Sequence, residues 1–400
     1  MKRKVLIRYV VLCMIVAFSL FGCAKESTEL KDSLETSKVT QVQPSGNTSE
    51  DRSSPIHQVD HFKRNIKENH YIDAGVYMPA QTTCSTYRVE LLDSDPIDIA
   101  KKLFPNEGPY TVTNKDYATN VLTSDGKTIC ITPSRIYSGA AIDEDGKKWE
   151  EIEILLNSFT QQEAKVSSKS LDFLSYDEAI KLGKETIKNL GVCLDPVLQV
   201  CVGMDAAELI SFQKELLKVD EESQYESYNP FGKAYIFSDL SSDYDAYYLK
   251  FGFRYDGIPL YGYEGEPLVM TQTSEASPSA MYADMVISSN GIERINIFGT
   301  YSSMEKSITE PILTFEQVIA KYEEQYEETL LPTEPETWII SSIYMEYLPV
   351  WEDEMYLIPY WCFLGDVEYS SPQTGEQLHI AAAFGDRLNA FSGENFEYGG

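Results

Sequence analysis

Two short segments of this chain match each other in chemical type at every position, and this repeat limits the folds that the chain can adopt. They are Leu174–Ile180 (LSYDEAI) and Leu313–Ile319 (LTFEQVI). Each contains a capping box, a hydroxyl side chain followed three residues later by Glu or Gln, which marks the first turn of a helix. Apolar residues at helical spacing follow each segment. The repeat predicts an amphipathic helix used twice, with Ile180 and Ile319 in equivalent buried positions.

Sequence typical of strands follows both predicted helices. Asn290-Gly291 lies between two apolar stretches and is a strong hairpin signal, and Ser124-Asp125-Gly126 predicts a second hairpin. Upstream, Asp95-Pro96 predicts the start of a short helix that ends at Phe104. The pattern therefore predicts an α+β fold of tandem units, in which an amphipathic helix packs on its own antiparallel sheet.

The first residues of the chain predict export from the cytoplasm. Basic residues precede an apolar run, Val10–Leu20, in the order of a secretory signal peptide. The run is about half of the roughly 20 apolar residues that a membrane-spanning helix needs, so a retained membrane-spanning helix is the weaker interpretation. Leu20-Phe21-Gly22-Cys23 resembles a bacterial lipobox, although Phe21 stands where lipoboxes usually have a small residue. The resemblance implies that Cys23 is acylated and anchors the chain to the lipid bilayer, on the outer face of the cytoplasmic membrane. An ordinary signal peptide is the alternative.

The repeated segments also carry a resemblance to known families. A Leu-[Ser/Thr]-aromatic-acid opening, a helix, and strands with a glycine-turn hairpin together resemble the PepSY-like repeats of envelope lipoproteins. They also resemble lipoproteins that restrain sensor kinases of cell-wall stress in Gram-positive bacteria. Residues 72–79 (IDAGVYMP), followed by Tyr87-Arg88-Val89, are similar to a family of uncharacterised lipoproteins from Gram-positive gut bacteria. These resemblances imply a location in the cell envelope and a style of fold, and they transfer no active site.

The predicted elements divide the chain into five parts. These are a signal peptide (1–22), a lipidated disordered tether (23–57), an N-terminal α+β domain (58–165), and first and second PepSY-like α+β units (166–308 and 309–400). The tether has almost no large apolar residue and cannot bury enough surface to fold. The remainder is too long for one small core, which favours several domains.

The chain is strongly acidic, with a formal net charge of −30. Such a charge repels phosphate backbones and anionic lipid headgroups, which excludes nucleic acid as a partner. Cationic peptides, metal ions and basic protein surfaces remain open. Solubility is the simplest reason for the charge.

The sequence offers little that points to catalysis or metal binding. His57 and His61 have the spacing of one helix face, but Gln58 stands where a zinc protease has its general-base glutamate. The cysteines that follow Cys23 are odd in number and lack C-x-x-C spacing, which favours buried free thiols. These cysteines are Cys84, Cys130, Cys193, Cys201 and Cys362. A disulfide between Cys193 and Cys201 is the alternative. We predict no catalytic residue, no metal ligand and no cofactor.

Tyrosine is concentrated between Tyr225 and Tyr263, in the middle unit. Tyrosines on an exposed sheet face offer contact area and hydroxyls to sugars or peptides. Alternation along the strand places Tyr247 and Tyr255 on one face and Tyr248 on the other. The predicted binding residues are Tyr247, Tyr255, Tyr261, Asp243 and Asp245, with Asp239 and Asp256 nearby. Tyrosine is also a good strand former, so ordinary sheet structure is the alternative reading.

Two functional hypotheses follow from these features. The first is a non-enzymatic binding or regulatory module of the cell envelope, whose partner is an envelope protein, a basic peptide or a cell-wall glycan. The second is an envelope hydrolase or glycan-modifying enzyme that uses a carboxylate pair. A cleft with two carboxylates roughly 5 to 10 Å apart would favour the enzyme, and flat sheets would favour the binding module. A solute-binding protein is disfavoured because alternating strands and helices are not predicted.

Overall fold

The computed structural model describes residues 56–115, 118–132, 134–139, 143–162, 169–222, 237–261, 281–327, 336–351, 354–371 and 377–396. The predicted signal peptide, the acylation site at Cys23 and the tether as far as residue 55 lie outside these residues. Within the described ranges, no helix has the length and apolar character needed to cross a membrane.

Strands make up 52% of the structure and helices 25%. The described strands are β1 (Ile56–Lys67), β2 (His70–Pro79), β3 (Thr83–Leu91), β4 (Thr111–Lys115), β5 (Ala118–Leu122), β6 (Thr128–Thr132), β7 (Arg135–Ser138), β8 (Asp195–Met204), β9 (Ala246–Tyr255), β10 (Ile258–Pro259), β11 (Tyr282–Ser288), β12 (Gly291–Phe298), β13 (Tyr301–Pro311), β14 (Glu336–Trp351), β15 (Met355–Ser370) and β16 (Gln377–Asn389). The described helices are α1 (Pro96–Leu103), α2 (Glu144–Gln162), α3 (Tyr176–Leu190), α4 (Ala206–Glu222) and α5 (Phe315–Glu327).

The strands form two large curled sheets. Sheet A has the order β1-β2-β14-β15-β3-β13, with β16 paired to β15. Sheet B has the order β10-β9-β11-β12-β7-β6-β5-β4, with β8 paired to β9. The β2–β14 pair in sheet A is parallel, and the other pairs are antiparallel. Sheet A thus combines strands from both ends of the described chain.

The predicted fold class, α+β with tandem helix-on-sheet units, is wrong. The protein is mostly β, and its sheets are not built one per repeat. The reason is long-range pairing, since Ile72 of β2 lies beside Ile340 of β14, and β3 pairs with both β13 and β15. No local pattern in the sequence indicates which distant strands will meet.

The local signals nevertheless have their predicted effects. Ser175 and Glu178 form a complete capping box at α3, and Thr314 and Gln317 exchange the same two bonds at α5. Asp95 caps α1 through its side chain. Both predicted hairpin turns are present, between β5 and β6 and between β11 and β12.

The two matching helices contact their sheets differently. Helix α3 lies so close to β9 that a Cβ on Gly183 would be 2.9 Å from side-chain atoms of Leu249 and Phe251. The matching position in α5 is Tyr322, whose ring stacks on Phe363 of sheet A at 4.1 Å. A helix resting on a glycine and a helix resting on an aromatic ring cannot have the same packing geometry.

This difference extends to the two isoleucines that were predicted to be equivalent. Ile319 is 2% exposed, whereas Ile180 is only half-buried at the margin of the core. The prediction of equivalent buried positions is therefore wrong.

Two large layers of apolar side chains hold the sheets and helices together, and a small third cluster of Tyr344, Cys362 and Leu364 lies on the outer side of sheet A. The larger core lies where the inner faces of sheets A and B meet, and it includes the buried sides of α1, α3 and α5. The smaller core lies on the opposite face of sheet B, beneath α2 and α4. Sheet B is therefore covered on both faces around β8, β9 and β11.

Candidate functional site

Strand β9 carries the tyrosines that were predicted to form a binding platform. Tyr247 is 0% exposed and lies in the larger core, and Tyr248 is 2% exposed and lies in the smaller core. Both faces of this strand are covered because helices pack on each side of sheet B. Strand β9 thus offers no exposed platform.

The neighbouring predicted binding residues have contacts within the protein. The hydroxyl of Tyr247 donates to the Leu174 carbonyl at 2.9 Å and so fixes the segment before α3. Asp245 accepts the backbone N–H of Ala206 at 2.8 Å, at the start of α4. Asp243 is exposed and accepts from a nearby serine hydroxyl. The ring of Tyr261 lies against the Arg387 guanidinium, 4.6 Å from ring centroid to Cζ.

Tyr255 and Asp256 meet a residue that the sequence did not single out, Tyr87 of β3. The rings of Tyr87 and Tyr255 are 4.8 Å apart in an edge-to-face arrangement. The Tyr87 hydroxyl donates to the Asp256 carboxylate at 2.9 Å. Burial, together with this carboxylate, raises the pKa of Tyr87 to about 12. These contacts join the β9–β10 turn of sheet B to sheet A.

A pair of carboxylates does occur, between α2 and sheet B. The Asn296 amide donates to Asp284 and to Glu153, each at 2.6 Å. Arg294 pairs with Glu153 at 2.9 Å. Burial, and then the charge of Glu153, raises the pKa of Asp284 to about 7. Asp284 is buried beneath α2, so the pair is placed to fix this helix to the sheet rather than to meet a substrate.

A second buried polar cluster lies between α5 and sheet A. Nε2 of His70 is 3.1 Å from the Tyr322 hydroxyl, which in turn donates to Asp386 at 3.1 Å. Tyr326 also donates to Asp386. The Nδ1 atom of His70 has no hydrogen-bond partner among the described residues. Burial lowers the pKa of His70 to about 4, so the ring is neutral at physiological pH.

On the side of sheet A that faces away from the larger core, exposed side chains lie on β2 and on neighbouring parts of β1, β14, β15 and β16, and we call this region the open face. Further along β14 and β15 the same side of the sheet is covered, since Tyr344, Cys362 and Leu364 are buried there. Strand β2 alternates strictly, with Ile72, Ala74 and Val76 pointing into the core. Tyr71 and Tyr77 point outward and are 38% and 39% exposed. The side chains that define the open face are Tyr71, Asp73, Tyr77, Asp366, Glu368 and His379.

Polar and charged groups of the open face contact one another across the strands, and His379 among them is charged only when it is protonated. Lys63 of β1 contacts Asp73 at 2.7 Å, and this hydrogen bond lowers the pKa of the Asp73 carboxyl. Ser341 of β14 donates to Asp366 at 3.1 Å. His379 lies 3.5 Å from the same carboxylate. The open face is therefore a sheet surface with two tyrosine rings and a set of hydrogen-bonding groups between and beside them.

The described cysteines are all free thiols, including Cys193 and Cys201. Over the same residues, no three or more His, Cys, Asp or Glu side chains are grouped so that they could hold a metal ion. His379 of the open face lies 3.5 Å from Asp366 and 3.8 Å from Glu368.

Neither Tyr71 nor Tyr77 was predicted to be a surface residue. The signal that could have found them is the alternation in YIDAGVY, with apolar residues at every second position. Alternation also distinguishes β9 from β2, because the β9 segment AYYLKFGF is almost entirely apolar and aromatic. A near-continuous apolar run indicates a strand that is buried on both faces.

Comparisons with known proteins inform the fold only. No protein-family model matches the chain, and no curated protein matches it. Among solved structures, the chain is similar to the crystal structure of an uncharacterized protein from Eubacterium rectale ATCC 33656. The TM-score is 0.53 and the sequence identity 15%, over 85% of this chain and 94% of that chain. The two proteins therefore share the overall arrangement of their strands and helices.

Proposed function

We propose that the protein is a lipid-anchored binding module of the cell envelope, which holds an extracytoplasmic partner on the open face of sheet A. The lipobox-like tetrapeptide that ends at Cys23 supports the location. The single observation that carries the binding role is the pair of outward tyrosines, Tyr71 and Tyr77, which are 38% and 39% exposed on the open face. Tyrosine supplies large contact area at low cost in conformational entropy, which suits it to recognition surfaces.

Titratable side chains elsewhere in the described structure support the same role. His70 and Asp284 are buried, and each is hydrogen-bonded to neighbours that fix a helix to a sheet. A general acid or base must come within hydrogen-bond reach of its substrate. His70 and Asp284 instead help to hold helices on the sheets.

The anchor has a direct test. Cys23→Ala removes the thiol that would carry the diacylglycerol, so the variant should lose incorporation of labelled fatty acid. It should also leave the membrane fraction or stop maturing, because stable anchoring depends on the acyl chains. A Cys13→Ala variant is the matched control and should keep both labelling and membrane association. Full labelling of the Cys23→Ala variant would contradict the anchor.

The open face can be tested without knowing the partner. Nitration of tyrosines in the full-length protein, read residue by residue by mass spectrometry, should modify Tyr71 and Tyr77 readily because both rings are exposed. Adding the native cell-envelope fraction should lower labelling of these two residues by more than half. Tyr110, a half-buried tyrosine near β4 in sheet B, is the internal control and should react equally with and without envelope. Equal labelling of Tyr71 and Tyr77 in both samples would rule out the open face as the binding surface.

A further inference from the structure

We infer that the contact between helix α5 and sheet A is an acid-sensitive switch: as the surroundings become mildly acidic, α5 leaves the sheet more often while the rest of the fold stays in place. The groups that make this contact sensitive are His70, Tyr322, Tyr326 and Asp386, which we call the α5 cluster. Such a switch acts whichever partner the open face holds, so it goes beyond the proposed function.

His70 of β2 lies at the point where α5 meets sheet A. Its ring is 0% exposed. Two of its aromatic neighbours belong to α5, since the rings of Tyr326 and Tyr322 lie edge-on to it with centroids 4.5 Å and 5.7 Å away. The Trp338 ring of β14 is a third neighbour, at 6.0 Å. Movement of α5 away from the sheet therefore exposes the His70 ring to water.

The docked helix leaves no favourable place for a second proton on this ring. An imidazolium donates from both nitrogens, but Nδ1 of His70 has no hydrogen-bond partner among the described residues. The titratable and charged groups around the ring are Tyr322 and Tyr326 from α5, Asp386 from β16 and Lys67 from β1. A buried charge that lacks an acceptor is costly, and burial lowers the pKa of His70 to about 4. Acid thus favours the state in which the ring is in water.

Asp386 does not balance a charge on His70. Its carboxylate accepts from the hydroxyls of Tyr322 and Tyr326, and it is linked to His70 only through Tyr322. Burial raises the pKa of Asp386, so this carboxyl takes up a proton and loses its charge as the pH falls. Protonation of Asp386 by itself favours the docked helix and opposes the effect of His70. The two groups must therefore be separated by experiment.

Two further polar contacts between α5 and sheet A lie near the surface. The Arg64 guanidinium pairs with Glu323 at 2.5 Å and 2.8 Å, and both side chains are partly exposed. Nζ of Lys67 donates to the carbonyls of Tyr326 and Glu327 at 2.6 Å and 2.9 Å. Exposed ion pairs contribute little to stability, and a helix of 13 residues is marginal when nothing packs against it. Docking of α5 therefore depends mainly on the aromatic rings and the α5 cluster beneath it.

The carboxylate pair under α2 responds to acid in the opposite sense. Asp284 and Glu153 share the amide of Asn296. Burial, and then the charge of Glu153, raises the pKa of Asp284 to about 7. Proton uptake by this pair removes the repulsion between its members and favours the docked state of α2. Acid therefore weakens the docking of α5 while it strengthens that of α2, so the expected response is local and not a general unfolding.

Hydrogen exchange of the full-length protein in detergent, read by mass spectrometry at pH 7.5 and pH 5.5, measures how often each helix opens. The rates are corrected for the pH dependence of intrinsic amide exchange. With a His70 pKa of about 6.5 in the undocked state and about 4 in the docked state, the undocked population rises about tenfold at pH 5.5. We therefore expect the protection of α5 amides to fall about tenfold. Helix α3, which carries the matching repeated segment but packs on sheet B, is the internal control and should keep its protection.

Variants assign the effect to one group. His70→Phe keeps a ring and His70→Gln keeps a donor, and in either of them α5 protection should no longer depend on pH. Asp386→Asn removes the opposing carboxyl and should show a fall at least as large as the parent. His379→Gln removes an exposed histidine of the same sheet and should respond like the parent.

The contrary outcomes are distinct. Unchanged α5 protection between pH 7.5 and pH 5.5 in the parent would overturn the switch, and a fall seen only in Asp386→Asn would show that His70 and Asp386 cancel. An equal fall in α5 and α3 would show a general loss of stability instead of local release. A fall in α5 that persists in both His70 variants would place the sensitivity in another group and overturn the role of the α5 cluster.

Discussion

Replacing Tyr322 by alanine is expected to lower the free energy of unfolding by about 3 to 5 kcal/mol, the range for removing a large buried aromatic side chain. The ring is 0% exposed and stacks on Phe363 at 4.1 Å with an interplanar angle of 7°. It is also the residue through which α5 rests on sheet A, so the cavity would lie in the interface between helix and sheet. Urea unfolding followed by tryptophan fluorescence would measure the change.

The matched control is Tyr322→Phe, which keeps the ring and removes the hydroxyl. That hydroxyl accepts from His70 and donates to Asp386, and Tyr326 still donates to Asp386 in the variant. The expected cost is about 1 to 2 kcal/mol, because one buried donor loses its acceptor. If Tyr322→Phe were as damaging as Tyr322→Ala, the hydrogen bonds and not the ring packing would hold α5 in place.

The same residue shows where prediction from sequence succeeded and where it failed. The capping boxes at Ser175 and Thr314 were predictable because each depends on residues only three positions apart. What the helices would contact was not predictable from the repeat. Gly183 and Tyr322 occupy matching positions after the repeated segment, yet one brings α3 directly onto β9 and the other holds α5 on an aromatic stack. Seven similar residues determined how the helices begin but not how they pack.

The pairing of the strands was even less predictable from the sequence than the packing of the helices. The two hairpin turns were predictable from Gly126 and Gly291, because each turn needs a residue with a positive φ and glycine adopts it at little cost. The parallel pairing of β2 with β14 joins residues from the two ends of the described chain, such as Ile72 and Ile340. Such a pairing depends on the complete arrangement of both sheets. The sequence therefore predicted the hairpins but assigned them to separate units.

The predicted tyrosine platform on β9 was wrong. A face with exposed tyrosines was expected at Tyr247 and Tyr255, on the strand with the most aromatic residues. That strand is buried on both sides because its residues are apolar at consecutive positions. The exposed tyrosines lie on β2, where polar and apolar residues alternate. Alternation, and not the number of tyrosines, distinguishes a surface strand from a core strand.

Acidification is expected to remove about 3 kcal/mol of stability through His70 alone. The ring is 0% exposed, and burial lowers its pKa in the folded protein to about 4, against about 6.5 in the unfolded chain. The unfolded state therefore binds the proton first as the pH falls. The contribution of neutral His70 is fully present above pH 6.5, is lost progressively between pH 6.5 and about 4, and does not change further below that range.

Other groups near the same interfaces shift in the opposite sense, so the effect of His70 must be measured as a difference. Burial raises the pKa of Asp284 and of Asp386, and protonating these carboxyls favours the folded state as the pH falls. Subtracting the free energy of unfolding of a His70 variant from that of the parent at each pH removes these shared contributions. The difference should fall by about 3 kcal/mol between pH 7.5 and pH 4.

Two variants at this position act as controls for each other. His70→Gln can still donate to the Tyr322 hydroxyl, whereas His70→Phe keeps an aromatic ring among Tyr322, Tyr326 and Trp338 but loses the donor. Their stabilities at pH 7.5 should therefore differ from each other. Neither side chain titrates, so the pH-dependent part of the difference from the parent should be the same for both. A parent-minus-variant difference that stays constant from pH 7.5 to pH 4 would show that His70 accepts a proton in the folded protein as readily as in the unfolded chain, and that the cluster under α5 is open to water.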